Sequence, residues 1–324
     1  MILEYPSIPK SDVLTQFSQL FQAKLFRGRL VIPEAFGRGS ISYAEIEPGF
    51  SLTVHNYTLN NTFKVRRSPF DDDDVIIVFN MGDLSSYATP YSIEKKPTAV
   101  NGRSTFIESA SLEAVITFES RIQIQFVKIR INRRVLDSLL NIGNPNATIK
   151  QILSGDGAFL FIDEISPENT KILSQLLALN ELDDLSPLYF KVKGQELLYN
   201  LFLRLQKREC ITQHAINSAD VNRLFLVRAM VLSDLSKPPV IATLASSASM
   251  SESKLMKLFK QVFGDTIYDY FQKYRMEQAA FFLKQNNISV SEVGYKLGFT
   301  NLSHFGRLFE RYYGLPPKKY ATTG

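Results

Sequence analysis

The sequence predicts a multidomain α+β protein, with a β-rich N-terminal barrel or sandwich, following helices, and an all-α C-terminal domain. Three observations lead there. Short β-branched runs separated by turn residues fill the chain up to about residue 135. From Arg133 onward apolar residues recur at helical spacing. Near the C-terminus one stretch occurs twice, at an offset of 50 residues.

The strands are taken in order. Gly28–Pro33 and Ser40–Ile46 are short β-branched runs bounded by turn residues. Ser51–Leu59 follows, with Leu52, Val54 and Asn56 alternating against Ser51, Thr53 and His55, a half-buried strand pattern. Asp74–Phe79, Glu113–Phe118 and Ile122–Ile131 complete a set of at least six. Glu47-Pro48-Gly49, Asn60-Asn61, Met81-Gly82-Asp83 and Asn101-Gly102 punctuate them as turns. Many short strands with such turns imply a barrel or sandwich.

Helical spacing then takes over. Arg133–Ile142, Asn146–Leu153 and Pro167–Leu179 read as short helices, the last with proline in its first turn. A longer helix is predicted from Pro187 to about Gln213. Its Leu197, Leu198, Leu201 and Leu205 share a face beside Lys207, Arg208 and Glu209. That face either packs on the β domain or pairs with a copy in a second subunit. The domain boundaries expected are 1–135, 136–217 and 218–324.

The repeat organises the last segment. Ser251–Gly264 and Asn301–Gly314 match at Ser253/Ser303, Leu258/Leu308, Phe259/Phe309 and Gly264/Gly314. Leu255/Phe305, Lys257/Arg307 and Phe263/Tyr313 are chemical equivalents. In each copy the apolar residues sit three and four apart, forming one buried helix face, and glycine ends the helix. Ile241–Met250 and Val290–Phe299 precede them as short amphipathic helices with a tight turn, carrying a small residue (Ala245, Gly294) where helices cross. This is a helix-turn-helix made twice, at about 238–264 and 289–314, and it points to sequence-specific reading of double-stranded DNA. Ser218 opens the domain with Asp220 in the first turn, suited to the helix dipole. Thr266 to about Gln285 forms a connecting helix long enough to hold the two units about 30 Å apart, close to one turn of B-DNA.

From about Ser218 to Tyr320, a third of the chain, the sequence resembles the AraC/XylS family of bacterial transcription regulators. The segment Gly298–Tyr320 carries the resemblance: Gly-Phe, an aromatic and basic recognition helix, Gly-Leu-Pro-Pro, then a closing Tyr. Phe263–Ala279 and Leu188–Leu198 are similar to the subgroup of siderophore (pyochelin)-responsive regulators. Gly294, Ser249 and Ala321 depart from the family pattern, where Ala, Gly and Arg are usual; Gly294 lowers local helix propensity by up to about 1 kcal/mol. The resemblance implies a cupin-like sensor barrel at the N-terminus, binding a small-molecule effector that is siderophore-like or another compound. It also implies contact with RNA polymerase, a possible homodimer and a bias towards activation. On the recognition helices it implies base contacts from Ser253, Met256 and Lys257, and from Ser303, His304 and Arg307.

Physical chemistry divides those roles. Arg307 presents a fork suited to guanine O6 and N7, and Met256 can pack on a thymine methyl. Lys254, Lys260, Lys318 and Lys319 are expected at phosphates, where they position without specifying sequence. Charge supports the assignment. The overall net charge is +5, yet residues 218–324 carry +6 and the remainder −1.

Other classes are disfavoured. Forty-five per cent apolar residues, with 24 Phe and 14 Tyr, build real cores, so the chain is read as globular. No apolar run approaches the roughly 20 residues of a membrane span, and Met1–Pro6 lacks a signal-peptide pattern. The single cysteine, Cys210, fits a reducing cytoplasm and reads as a small buried hydrophobe. A cupin oxygenase needs two His and a carboxylate on neighbouring strands, whereas His55, His214 and His304 are scattered. The run Asp71–Asp74 invites a metal reading, against which stands a solvated hairpin loop. No Ser, Cys or His pairing suits nucleophilic catalysis, so no enzyme and no cofactor are expected. The rival reading is a cupin-type small-molecule-binding or catalytic protein with a DNA-binding appendage.

Overall fold

The computed structural model describes residues 2–5, 13–67, 73–82, 103–179, 182–208, 214, 216–285 and 288–322. Cys210, Asp71, Asp72 and the turn at Asn101-Gly102 lie outside these. The chain forms two compact units, divided between Asn222 and Arg223.

The first unit is built on two sheets. The strands are β1 (Ile2–Tyr5), β2 (Leu25–Phe26), β3 (Arg29–Val31), β4 (Gly37–Glu47), β5 (Phe50–Leu59), β6 (Phe63–Arg67), β7 (Asp74–Asn80), β8 (Ser104–Ser109), β9 (Ala114–Phe118), β10 (Gln123–Asn132) and β11 (Leu160–Glu164). Eight of them pair antiparallel in the order β11-β8-β7-β10-β5-β4-β3-β2. β6 pairs with β9 antiparallel and with β1 parallel in a separate sheet. Among the described residues no pairing joins β11 to β2, so the larger sheet is not closed by hydrogen bonds into a barrel.

Among the described residues, five helices accompany the sheets: α1 (Val13–Phe21), α2 (Arg133–Leu140), α3 (Ala147–Ser154), α4 (Pro167–Leu177) and α5 (Ser186–Gln206). Their starts follow local chemistry. Asn132, Asn146 and Ser166 accept backbone N–H bonds as N-caps of α2, α3 and α4. Ile77, Val127 and Ile129 of the sheet share one core with Leu136, Ile149, Leu173, Phe190, Leu197 and Leu201. Gly194 lets α5 lie close on the sheet, since a Cβ there would stand 3.3 Å from Leu52 and 3.4 Å from Phe50.

Several expectations change here. The helix expected to reach Gln213 ends at Gln206, where the Lys207 N–H turns back to Arg204 and Leu205 carbonyls. β5 does not alternate buried with exposed, because Thr53 and His55 are also buried. Their face meets aromatic rings instead: His55 stacks on Phe126 at 4.0 Å and stands edge-on to Phe17. The acidic run is not wholly a solvated loop. Asp74 is buried against Arg130, and Asp73 pairs with Arg133 at 2.8 Å. Among the described residues no group of three or more His, Cys, Asp or Glu could hold a metal ion, and no helix is long and apolar enough to cross a membrane.

The second unit is helical: α6 (Ser218–Ser233, which begins in the first unit), α7 (Ile241–Ser247), α8 (Glu252–Phe263), α9 (Ile267–Lys284), α10 (Val290–Lys296), α11 (Leu302–Tyr313) and α12 (Pro317–Thr322). α9 is the scaffold that touches α8, α10, α11 and α12. Its Met276, Ala279, Ala280 and Leu283 meet Val293, Leu297, Phe299, Phe305, Leu308 and Phe309 in one core. On the other side Tyr270 packs edge-on to Phe259, both being buried.

Candidate nucleic-acid interface

The two repeats fold alike, down to their ends. α8 and α11 each have 12 residues. Ser251 caps the first by accepting from the Lys254 N–H, and Asn301 caps the second by accepting from His304 N–H. Gly264 (φ 86°) and Gly314 (φ 70°) close them in the left-handed conformation. Leu255, Leu258 and Phe259 are buried in one copy, Phe305, Leu308 and Phe309 in the other. A shared buried face leaves the same helix positions outside.

Those outward positions hold the residues singled out from sequence. Ser253, Met256, Lys257, Ser303, His304 and Arg307 are all exposed. Lys254, Lys318 and Lys319 are exposed as well, whereas Lys260 is half-buried. Lys318 and Lys319 stand on α12, a short helix that the sequence reading did not anticipate.

The turns ahead of each recognition helix solve one geometric problem in two ways. Ser249 adopts φ 49° and Gly298 φ 76°. Only the second needs glycine for space, because a Cβ would fall 1.9 Å from the Ser236 carbonyl oxygen. Gly294 also has a packing reason: a Cβ would approach Leu302 Cδ2 to 2.6 Å where α10 crosses α11. α10 gains a capping box between Ser289 and Glu292. The hydrogen bonds from the Ser289 hydroxyl and backbone hold the Glu292 carboxyl below its usual pKa.

Two buried arginines brace the helices of the second unit, and the sequence singled out neither. Arg275 on α9 donates from Nε to the Leu297 carbonyl at 2.7 Å and lies 3.6 Å from the Phe299 ring centroid. Leu297 caps the C-terminus of α10, so the cation meets a carbonyl at a helix's negative end. Arg228 donates to Tyr270 Oη at 2.5 Å and lies over both Tyr270 and Tyr274. Burial pushes the Tyr270 hydroxyl well above its ordinary pKa, keeping it neutral. The signal in the sequence was only an arginine spaced among aromatic residues, a pattern shared by surface helices.

Residues 244–323, within the second unit and containing both helix-turn-helix repeats apart from the first residues of α7, match the helix-turn-helix domain family. The chain carries a helix-turn-helix domain over these residues. An uncharacterized HTH-type transcriptional regulator of Haemophilus influenzae is 35% identical over 80 residues, 25% of this chain and 27% of that protein. The regulatory protein PchR of Pseudomonas aeruginosa is 32% identical over 110 residues, 33% of this chain and 37% of its own. The HTH-type transcriptional activator CfaD of Escherichia coli is 24% identical over 234 residues, 72% of this chain and 85% of its own. The matched segment thus spans about a quarter of the first relative and a little over a third of PchR. α8 and α11 are the second helices of this tandem helix-turn-helix, the position that enters the major groove where such a motif binds DNA.

Proposed function

We propose that this protein is a sequence-specific transcription regulator, an activator whose DNA binding responds to a small molecule. The observation that carries the reading is the equivalence of α8 and α11, which present Lys257 and Arg307 outward from matching caps and matching buried faces. α9, with 18 residues, is about 27 Å long, which suits two helices entering successive major grooves. Ser253, Met256, Lys257, Ser303, His304 and Arg307 are proposed at base edges, and Lys254, Lys260, Lys318 and Lys319 at phosphates.

The sheet unit is proposed as a cupin-like sensor, with residues 1–135 as its core, 136–217 as an assembly region and 218–324 as the DNA-binding domain. α5 keeps Leu188, Val192, Tyr199 and Leu203 exposed after burying its other face, which suits pairing with a second copy of the chain. RNA polymerase is the proposed partner at the promoter, and the setting the cytoplasm. No catalytic step is assigned.

Selection of bound sequences from random DNA with the full-length protein tests the reading. A two-part site whose halves lie about one helical turn apart is expected. Failure to enrich any sequence, with an intact fold by circular dichroism, refutes it.

A further inference from the structure

Among the described residues three glycines lie inside helices: Gly194 in α5, Gly294 in α10 and Gly306 in α11. After proline, glycine is the least favourable helix residue, because it gives up the most backbone freedom. Two of the three have a reason within the fold. A Cβ would stand 3.3 Å from Leu52 at Gly194 and 2.6 Å from Leu302 at Gly294. Gly306 has no such neighbour, since a Cβ there would meet nothing within 4 Å. Its φ does not lie in the left-handed region either. Alanine would fit and would strengthen the helix.

The place of Gly306 is informative. It is the fifth of the 12 residues of α11, directly before Arg307 and three residues after Ser303, both exposed. The fifth of the 12 residues of α8 is Met256, whose side chain is 47% exposed. Two helices alike in cap, buried face and terminal glycine thus differ sharply at one outward position. There α8 carries a long side chain, whereas α11 lets its backbone approach whatever it faces.

The chemistry that Gly306 can offer is narrow. A fifth residue lies past the four free amides of a helix start, so its N–H is engaged within the helix. No side chain adds a polar group. What remains is room and the apolar surface of the Cα. On the major-groove edges of the base pairs the apolar group is the 5-methyl of thymine. We infer that Gly306 is a specificity-determining residue, leaving the space in which a thymine methyl packs against the α11 backbone beside the base met by Arg307. This rests on the regulator reading, with α11 in the major groove. It explains why a residue that weakens the free helix stands where nothing in the protein requires it.

The test uses the full chain and the site it selects from random DNA. Gly306→Ala is expected to raise Tm by about 4 °C, because alanine favours the helix. The same variant is expected to bind the selected site about tenfold more weakly, with non-specific DNA unchanged. Gly306→Met, which copies the residue of α8, should lose about a hundredfold. Each thymine in the half-site bound by α11 is then replaced in turn by uracil, which lacks the methyl. At one position uracil should weaken the native chain about fourfold, by loss of one buried methyl. At that position it should restore most of the affinity of Gly306→Ala, since the added Cβ then has room. A fall in Tm for Gly306→Ala overturns the inference, because the glycine would be serving the fold. So does unchanged affinity for the selected site, an equal loss on all DNA, or the absence of any rescuing uracil. Failure of the native chain to select a sequence refutes the regulator reading itself, and is thereby distinct from these outcomes.

Discussion

Replacing Arg275 by methionine tests how the second helix-turn-helix unit is held. The substitution keeps an unbranched, largely apolar side chain but removes the guanidinium. Two interactions go. The Nε–H bond to the Leu297 carbonyl, at 2.7 Å, is a charge-assisted bond of about 1.5–3 kcal/mol. The guanidinium over Phe299, at 3.6 Å, contributes about 2 kcal/mol where it is shielded from water, as at a residue only 5% exposed. Together these predict a loss of about 3–5 kcal/mol, a large part of the roughly 5–15 kcal/mol of a whole domain. Urea denaturation followed by far-UV circular dichroism measures it, since the chain has no tryptophan to report. Arg275→Lys is expected to fall between, because an ammonium lacks the planar face that stacks on the ring. DNA affinity should fall with stability, as the turn that sets α11 loosens. A loss under about 1 kcal/mol for Arg275→Met would refute the view that this arginine fastens α9 to α10.

The remaining predictions address the reading helices, the turn and the sheet. Arg307→Ala should cost about 1–3 kcal/mol on the selected site and flatten discrimination at one base pair, whereas Lys319→Ala should weaken all DNA alike and lower the salt slope by about one; titration against single-base variants separates them. Gly298→Ala forces a Cβ to 1.9 Å from the Ser236 carbonyl at φ 76° and should destabilise by about 2 kcal/mol or more, read by chemical denaturation. Burial first, and Lys128 second, push the His55 pKa well below 6.5, so the folded state holds it neutral while the unfolded state takes up a proton below that pH. Stability is therefore unaffected by His55 above pH 6.5 and falls below it by up to about 1.4 kcal/mol per pH unit, until the folded-state pKa is reached. His55→Phe should remove that component from denaturation curves between pH 7 and the acid limb; an unchanged pH dependence counts against it.

The sequence alone determined the doubled unit, and the reason is local. Caps, apolar spacing and terminal glycines act within one helix, so Ser251 and Gly264, or Asn301 and Gly314, mark its limits without reference to the rest of the chain. The exposure of Lys257 and Arg307 follows from the same periodicity. What lies between distant segments was not legible. β6 (Phe-Lys-Val-Arg-Arg) shows no clear strand pattern of its own and is defined by pairing with β9, some 50 residues later. Alternation along β5 suggested a solvent face, but aromatic rings from α1 and β10 cover it and bury His55. Asp73 and Asp74 looked like loop carboxylates until Arg133 and Arg130 were brought beside them. Arg275 was one more charge on an amphipathic helix. Burial of a charged group is decided by which partner arrives from elsewhere in the chain, and only the tertiary structure brings Leu297 and Phe299 to it.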